Sequence, residues 1–267
     1  MFRFSAVGIL LSVFTLANAN ADLISVSDLS EFCRTHRPNQ RVYPVQDKLV
    51  NGRLPFDAGL AQKEIMLTFD DGPNLVDLPL ILDTLDACNI KVHFFFVGRS
   101  ARRAGELHSP LIQRVLSGGH QVGSHSMTHA SGMTLGNMID RAGGSTARVR
   151  REIVDAHNVV MDVFGTNTPF FRFPYGNGSR SATANDYLES VGLVNFFWNA
   201  STGDSDPAHP RGAEAVYHRS KQQIAYQEER GHGVLLLAHE RGGTPAMLAT
   251  LLRDLIQEGY TFVTFLP

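Results

Sequence analysis

Two acidic residues end an apolar run near the start of the chain, and two histidines follow a later run. Asp70 and Asp71 close the segment EIMLTFDD, and a Gly-Pro turn comes directly afterwards. His125 and His129 lie four residues apart in HSMTH. Two imidazoles and one carboxylate are a known ligand set for catalytic zinc, which keeps open positions for water and substrate. One aspartate would hold the metal, and its neighbour would accept the proton of the attacking water.

Each of these features alone has an ordinary structural explanation. An acid pair before Gly-Pro often caps its own turn, as Asp70 and Asp71 would do. A spacing of four residues brings His125 and His129 to one side of a segment whether or not a metal is bound. It is the combination of two imidazoles with a carboxylate that favours a metal site.

An arginine and a histidine at the ends of two other apolar runs add groups for acid and base chemistry. Arg172 in FFRFPYG would pair with a carboxylate and keep it ionised, or form a structural ion pair. The backbone N–H of Tyr175 is a candidate oxyanion donor. His239 ends VLLLAH, and a histidine oriented by an aspartate is a common general acid, for which Asp204 and Asp206 are rival partners.

The elements that must position these side chains alternate between β-rich and helical runs, which is the pattern of parallel βα units. Such units place their polar groups at the carboxyl ends of strands, either in an incomplete barrel or in an open, doubly wound sheet. Strands are predicted at residues 64–69, 91–97, 120–125, 170–174, 194–199, 234–239 and 261–266, and helices at 78–88, 110–119, 145–165, 183–192, 212–230 and 245–259.

The start of the chain predicts export. Residues 1–21 have the layout of a signal peptide, with Arg3, an apolar stretch and small residues that fit a cleavage site, although an uncleaved anchor fits as well. We therefore expect a secreted or periplasmic protein with no stable membrane span after cleavage. Residues 22–63 are interpreted as an irregular N-terminal extension packed on the domain. Cys33 and Cys88 either pair or remain as two buried thiols.

The charge balance excludes one class of partner. The 267 residues carry 24 basic and 26 acidic side chains, so nothing indicates binding to nucleic acid. We expect a monomer.

The motifs TFDDGP (68–73), HSMTH (125–129), RFPY (172–175), Asp204 and LAH (237–239) occur in this order. Together they resemble the polysaccharide deacetylase family, which is carbohydrate esterase family four with its NodB homology domain, over residues 64–267. The resemblance implies a single α/β domain built as a distorted (β/α) barrel of seven or eight strands. It also implies a metal-dependent hydrolase that removes acetyl groups from sugars.

The resemblance also implies roles for individual residues. Asp70 matches the general base and Arg172 its ion-pair partner, and His239 matches the general acid, which Asp204 tunes. Leu237 matches the apolar residue that lines the acetyl pocket, and the metal ligands are Asp71, His125 and His129.

One departure from the family pattern concerns the residue after Asp204. The family usually has tryptophan there, whereas this chain has Ser205. Trp198, the only tryptophan, lies six residues before Asp204 and is a candidate for the substrate pocket. Asp206 therefore stays a rival to Asp204.

The expected reaction is hydrolysis of a linear amide, a carbon–nitrogen bond. The enzyme would remove N-acetyl groups from N-acetylglucosamine units of peptidoglycan or a chitin-like glycan, with zinc, or else cobalt or nickel, as its metal. An O-acetyl sugar esterase with the same site and a non-catalytic glycan-binding protein are the alternatives. The serine-hydrolase motif G-x-S-x-G is absent, which argues against a serine nucleophile.

Overall fold

The computed structural model describes residues 22–129, 132–142 and 146–267. The predicted signal peptide, residues 1–21, lies outside the described residues. Within the described ranges, no helix is both long enough and apolar enough to cross a membrane.

The strands of the described residues form one sheet, and every pairing between them is parallel. The sheet order is β1-β9-β2-β3-β4-β5-β6, and β8 joins the other side of β2 and pairs in turn with β7. The strands are β1 (Asn39–Pro44), β2 (Glu64–Asp70), β3 (His93–Phe96), β4 (Gln121–Ser124), β5 (Phe170–Phe171), β6 (Val194–Asn195), β7 (Ala200–Ser201), β8 (Val234–His239) and β9 (Thr261–Leu266).

Helices connect the strands and cover the outside of the sheet. They are α1 (Val26–Thr35), α2 (Leu78–Cys88), α3 (Gly98–Glu106), α4 (Pro110–Ser117), α5 (Gly132–Ala142), α6 (Ala147–Arg150), α7 (Ala156–Phe164), α8 (Ala182–Ser190), α9 (Ala213–Glu229) and α10 (Thr244–Gln257). A π-helical turn joins α6 to α7, and short 3-10 turns occupy Val45–Lys48 and Pro174–Gly176.

Side chains alternate between two apolar layers along the central strands. In β2, Ile65, Leu67 and Phe69 belong to the large core under the helices, whereas Met66 belongs to the core inside the barrel. Successive strand residues face opposite sides of a sheet. Thr68 and Asp70 therefore share the inward face with Met66, and the same alternation in β8 gives Leu237 and His239 the inward face of Leu235. The two-residue alternation of strand side chains thus places these polar residues on the inner face of the barrel.

The architecture is a distorted (β/α) barrel, as the family resemblance implies. Within the described ranges, β6 and β7 do not pair with each other, so the barrel is incomplete between them. The seven predicted strands are present, but β5 and β6 are only two residues long because the chain leaves the sheet toward the site after Phe171 and Asn195.

Residues 22–63 are not irregular throughout, because they contain helix α1 and strand β1. Ser25 caps α1 through a reciprocal hydrogen-bond pair with Asp28, and this capping box was visible in the sequence. Strand β1 pairs along its whole length with β9, but its side chains are largely exposed and give no apolar signal. A disulfide between Cys33 and Cys88 ties α1 to α2.

Candidate active site

Strand register brings the predicted residues to the same edge of the barrel. Asp70 at the end of β2 is the direct neighbour of His239 at the end of β8. Ser124 of β4 is level with Phe171 of β5, so the next residues along each strand, His125 and Arg172, leave the sheet side by side. The carboxyl ends of parallel strands converge here, as in other α/β barrels.

Asp71, His125 and His129 form a compact group of ligand atoms that lie within 4.8 Å of one another. Asp71 Oδ1 is 3.0 Å from Nε2 of His129 and 3.5 Å from Nε2 of His125. Among the described residues, this buried oxygen has no hydrogen-bond partner. Two imidazole nitrogens and one carboxylate oxygen that face a common point without bonding to each other suit a divalent metal, zinc above all.

The surroundings of the two histidines keep their ring nitrogens available. The Nδ1 of His125 lies 2.8 Å from the carbonyl oxygen of Arg172 and donates to it, which leaves Nε2 as the unprotonated nitrogen that faces Asp71. Burial lowers the pKa of His125 to about 4, and burial also lowers the pKa of His129. Metal binding requires the neutral imidazole. At neutral pH these rings are already neutral, so no proton has to be removed before a metal binds.

Asp70 forms a buried ion pair with Arg172. The guanidinium Nη1 donates to Asp70 Oδ1 at 2.7 Å and to Thr68 Oγ1 at 2.7 Å. Arg172 is fully buried, and its remaining nitrogens donate to the carbonyl oxygens of Phe196 and Phe197. The other oxygen of Asp70 is 3.6 Å from Nε2 of His125, on the side of the metal ligands.

His239 contacts Asp204 and not its rival. Its Nδ1 lies 2.7 Å from Asp204 Oδ1, and its backbone N–H donates to Asp204 Oδ2 at 2.8 Å. Burial opposes a charge on the imidazole, but the hydrogen bond and charge of Asp204 outweigh it and raise the pKa of His239. Asp206 is half-buried and instead lies 2.9 Å from Nδ1 of His209.

The candidate metal ligands, Asp70 and His239 line one cavity of about 560 Å³, and Asp206 also lines it, whereas Arg172 and Asp204 are buried behind its wall. Leu237 forms part of its wall together with Trp198, whose ring centre is 5.7 Å from the Arg172 guanidinium carbon. The Tyr175 ring lies against His129, with 4.7 Å between ring centres. The structure thus brings together all the residues that the sequence analysis singled out as candidates for the site.

Several of these residues have backbones in the left-handed region. The φ angles are 75° at Asp71, 52° at His129 and 57° at Tyr175. Such conformations cost about 1–3 kcal/mol each in residues other than glycine and cluster at functional sites. The fold therefore imposes the positions of these three residues against their local preference.

Three residues of the site escaped the sequence analysis, although all follow His239 closely. Arg241 forms an ion pair with Asp71 Oδ2, and Thr244 donates to Asp204 Oδ2 at 2.5 Å. Glu240 is fully buried, and burial raises its pKa to about 8. Its carboxyl group accepts from the Asn74 N–H and occupies the space that a Cβ at position 72 would fill, which explains Gly72. The segment HERGGT was the available signal.

The fold and the site together define a class, an α/β barrel with a candidate mononuclear metal centre at the carboxyl ends of its strands. The chain belongs to the polysaccharide deacetylase family, because the family model described as polysaccharide deacetylase matches residues 57–196.

Relatives named as peptidoglycan deacetylases are among the matches. A peptidoglycan N-acetylglucosamine deacetylase of Listeria monocytogenes is 35% identical over 204 residues, which are 76% of this chain and 38% of that protein. The chain thus spans little more than a third of that relative. The solved structure of a Bdellovibrio bacteriovorus peptidoglycan deacetylase is 29% identical, with a TM-score of 0.65 over 86% of this chain and 60% of the other.

A further structural neighbour shows that the fold does not guarantee catalysis. It is a pseudoenzyme of carbohydrate esterase family four from Bacillus anthracis, 20% identical, with a TM-score of 0.61 over 76% of this chain and 63% of that one. Activity must therefore be argued from the side chains of the site.

Proposed function

We propose that this chain is a metal-dependent hydrolase that removes N-acetyl groups from N-acetylglucosamine units of a polysaccharide, with peptidoglycan as the first candidate. The observation that carries the proposal is that three distinct groups reach one cavity: the ligand set around Asp71, Asp70 with its buried partner Arg172, and His239 with its buried partner Asp204. Family membership alone would not carry it, because the family includes a pseudoenzyme.

The metal would be held by Asp71, His125 and His129, with zinc as the first choice and cobalt or nickel as alternatives. When bound, it would supply a Lewis acid that polarises the acetyl carbonyl and makes water acidic. Asp70 accepts the proton of the attacking water. Arg172 holds the Asp70 carboxylate through one oxygen and leaves the other directed at the ligand group.

His239 supplies the proton that the leaving amine requires. An amine departs poorly as an anion, so a general acid must protonate the sugar nitrogen. Asp204 binds the Nδ1 side of the ring, which leaves Nε2 as the proton donor into the cavity, 4.0 Å from Asp71 Oδ2. The backbone N–H of Tyr175 would stabilise the oxyanion, as such donors do by about 3 kcal/mol in other acyl transfers. Leu237 and Trp198 would enclose the acetyl group and the sugar.

The choice of substrate rests on the relatives. The Listeria and Bdellovibrio proteins are named for action on peptidoglycan, and both cover most of this chain. Peptidoglycan lies outside the cytoplasm, which agrees with the signal peptide predicted at residues 1–21. We therefore propose a secreted or periplasmic enzyme that acts on the cell wall.

The test is acetate release by the zinc-loaded chain from residue 22 onward, on purified peptidoglycan and on an N-acetylglucosamine pentamer. Release from peptidoglycan supports the proposal as stated, and release from the pentamer alone supports a chitin-type substrate. Release only from O-acetylated sugars would replace the amidase with an esterase. Glycan binding without any acetate release would make the protein a non-catalytic binder and overturn the proposal.

A further inference from the structure

Three aromatic rings form a continuous path that leads out of the candidate active site. Trp198 lines the catalytic cavity and stacks on Phe197, with 4.4 Å between ring centres and an angle of 13° between planes. Phe197 in turn contacts Phe56, with 4.7 Å between centres. Both inner rings lie against Gly176, where a Cβ would meet Phe197 at 2.6 Å and Trp198 at 2.8 Å. The path therefore begins at the backbone beside Tyr175.

The outer end of this path is a groove beside the catalytic cavity. Phe56 and Phe197 line it, and its volume is about 190 Å³. Phe56 is an exposed aromatic ring, 47% accessible, in a part of the chain that precedes the residues matched by the family model. The Arg180 guanidinium carbon lies 5.4 Å from the Phe56 ring centre and 6.0 Å from that of Phe197.

Polar groups in the groove lack partners. Ser179 and Asn195 line it, but Ser179 Oγ and Asn195 Oδ1 are buried and make no hydrogen bond within the part of the chain that the structure describes. Arg180 is exposed and forms no ion pair with any described residue. These two oxygens are shielded from the groove, so the exposed Arg180 guanidinium is the polar group that a ligand there could reach.

We propose that this groove, formed by Phe56, Phe197 and Arg180, binds a second sugar unit of the same glycan chain whose N-acetyl group occupies the catalytic cavity. The proposal rests on the proposed function and adds the residues that measure chain length. A sugar presents an apolar C–H face and a rim of hydroxyl groups. The Phe56 and Phe197 rings match the face, and the exposed Arg180 guanidinium matches the rim.

Size and continuity favour a sugar of the substrate over an unrelated ligand. Sites that enclose a whole small molecule usually measure about 300–1,000 Å³, which is more than this groove offers. Trp198 lines the catalytic cavity, Phe197 lines the groove and the two rings stack, so the two spaces are neighbours across one aromatic pair. A polymer of sugar units meets both conditions.

The only tryptophan of the chain supplies the readout, because Trp198 is part of the path. The zinc-loaded Asp70→Asn protein, which should not turn over, is titrated with N-acetylglucosamine and with its dimer, and the dissociation constants are taken from Trp198 fluorescence. We expect the dimer to bind about fivefold more tightly than the single sugar, and Phe56→Ala to remove most of this advantage, since an aromatic contact of this kind is worth about that factor.

Two further variants serve as controls for the Phe56→Ala result. Phe56→Leu keeps an apolar side chain but loses the flat ring, and it should also lose the preference for the dimer. Tyr226→Ala removes another exposed aromatic residue with an arginine, Arg230, 5.2 Å from its ring centre, and it should keep the preference. Equal affinity for the single sugar and the dimer before mutation, or a preference that survives both Phe56 changes, would overturn the proposal.

The same experiment separates this inference from the proposed function. Loss of the dimer preference in Phe56→Ala, with no acetate released by the protein that retains Asp70, would support the sugar site and argue against the deacetylase. Acetate release combined with an unaltered preference in Phe56→Ala would support the deacetylase and overturn the second sugar site.

Discussion

Asp204 holds His239 by two hydrogen bonds, one from the ring Nδ1 at 2.7 Å and one from the backbone N–H at 2.8 Å. The Thr244 hydroxyl donates to the same carboxylate. The position of the imidazole is thus defined at both its ring and its backbone. Only Nε2 is left to face the cavity, so under the proposed function Asp204 would position the ring and His239 would contact the substrate.

We predict that Asp204→Asn lowers turnover of an N-acetyl substrate by about 10²–10⁴-fold, the usual contribution of general acid–base catalysis. The loss on an O-acetyl sugar should be smaller, because an alcohol leaves more readily than an amine. Initial rates on both substrates measure the effect. Asp206→Asn is the matched control, and it should cost far less because Asp206 pairs with His209 instead. Similar losses for the two variants would contradict the assignment.

The two neighbouring aspartates should separate in a metal-binding assay. We predict that His125→Ala and Asp71→Ala lose zinc on dialysis, since each removes one of the three ligand atoms. Asp70→Asn should retain zinc and lose turnover, because its carboxylate is held by Arg172. Zinc content is measured by atomic absorption and turnover by acetate release on the same samples, which separates metal binding from catalysis. An Asp70→Asn protein without zinc would show that the division of labour between the aspartates is wrong.

The buried Asp70–Arg172 pair should also matter for stability. We predict that Arg172→Met lowers the free energy of unfolding by about 3–5 kcal/mol, because it leaves the Asp70 carboxylate buried without its partner. Urea unfolding measures the change. Lys221→Met breaks the more exposed pair with Glu258 and should cost at most about 1 kcal/mol. A comparable loss in both variants would argue that burial does not govern the cost.

The strand ends were predictable because the signal is local. Asp70 and His239 each end an apolar run, and parallel strands bring their carboxyl ends to one edge whatever the connections between them. The same reasoning placed Arg172 after β5. The ligand spacing of His125 and His129 was equally visible.

The remaining contacts depend on loops and on distant segments. Asp204 and Asp206 lie two residues apart in a loop without periodicity, so which of them enters the site depends on the path of the chain around Gly203. Phe56 comes from a segment whose exposed strand and short turns carry no apolar pattern. Its partner Phe197 is far away in sequence, and only the fold brings them together.

A histidine remote from the site should make stability depend on pH. His120 is buried, and its Nδ1 accepts the backbone N–H of Val92. Burial, aided by the charge of Lys91, lowers its pKa from 6.5 to about 4. Between these values the unfolded chain binds a proton that the folded protein does not, so the folded state loses stability as the pH falls below 6.5.

We predict that the unaltered chain loses more stability than His120→Asn when the pH is lowered from 7.5 to 5. The decrease in the free energy of unfolding should be larger in the unaltered chain by about 2 kcal/mol. Urea unfolding at the two pH values gives the difference, and His108→Asn, at an exposed position, serves as the control. Equal losses in the unaltered chain and in His120→Asn would show that His120 does not carry this dependence.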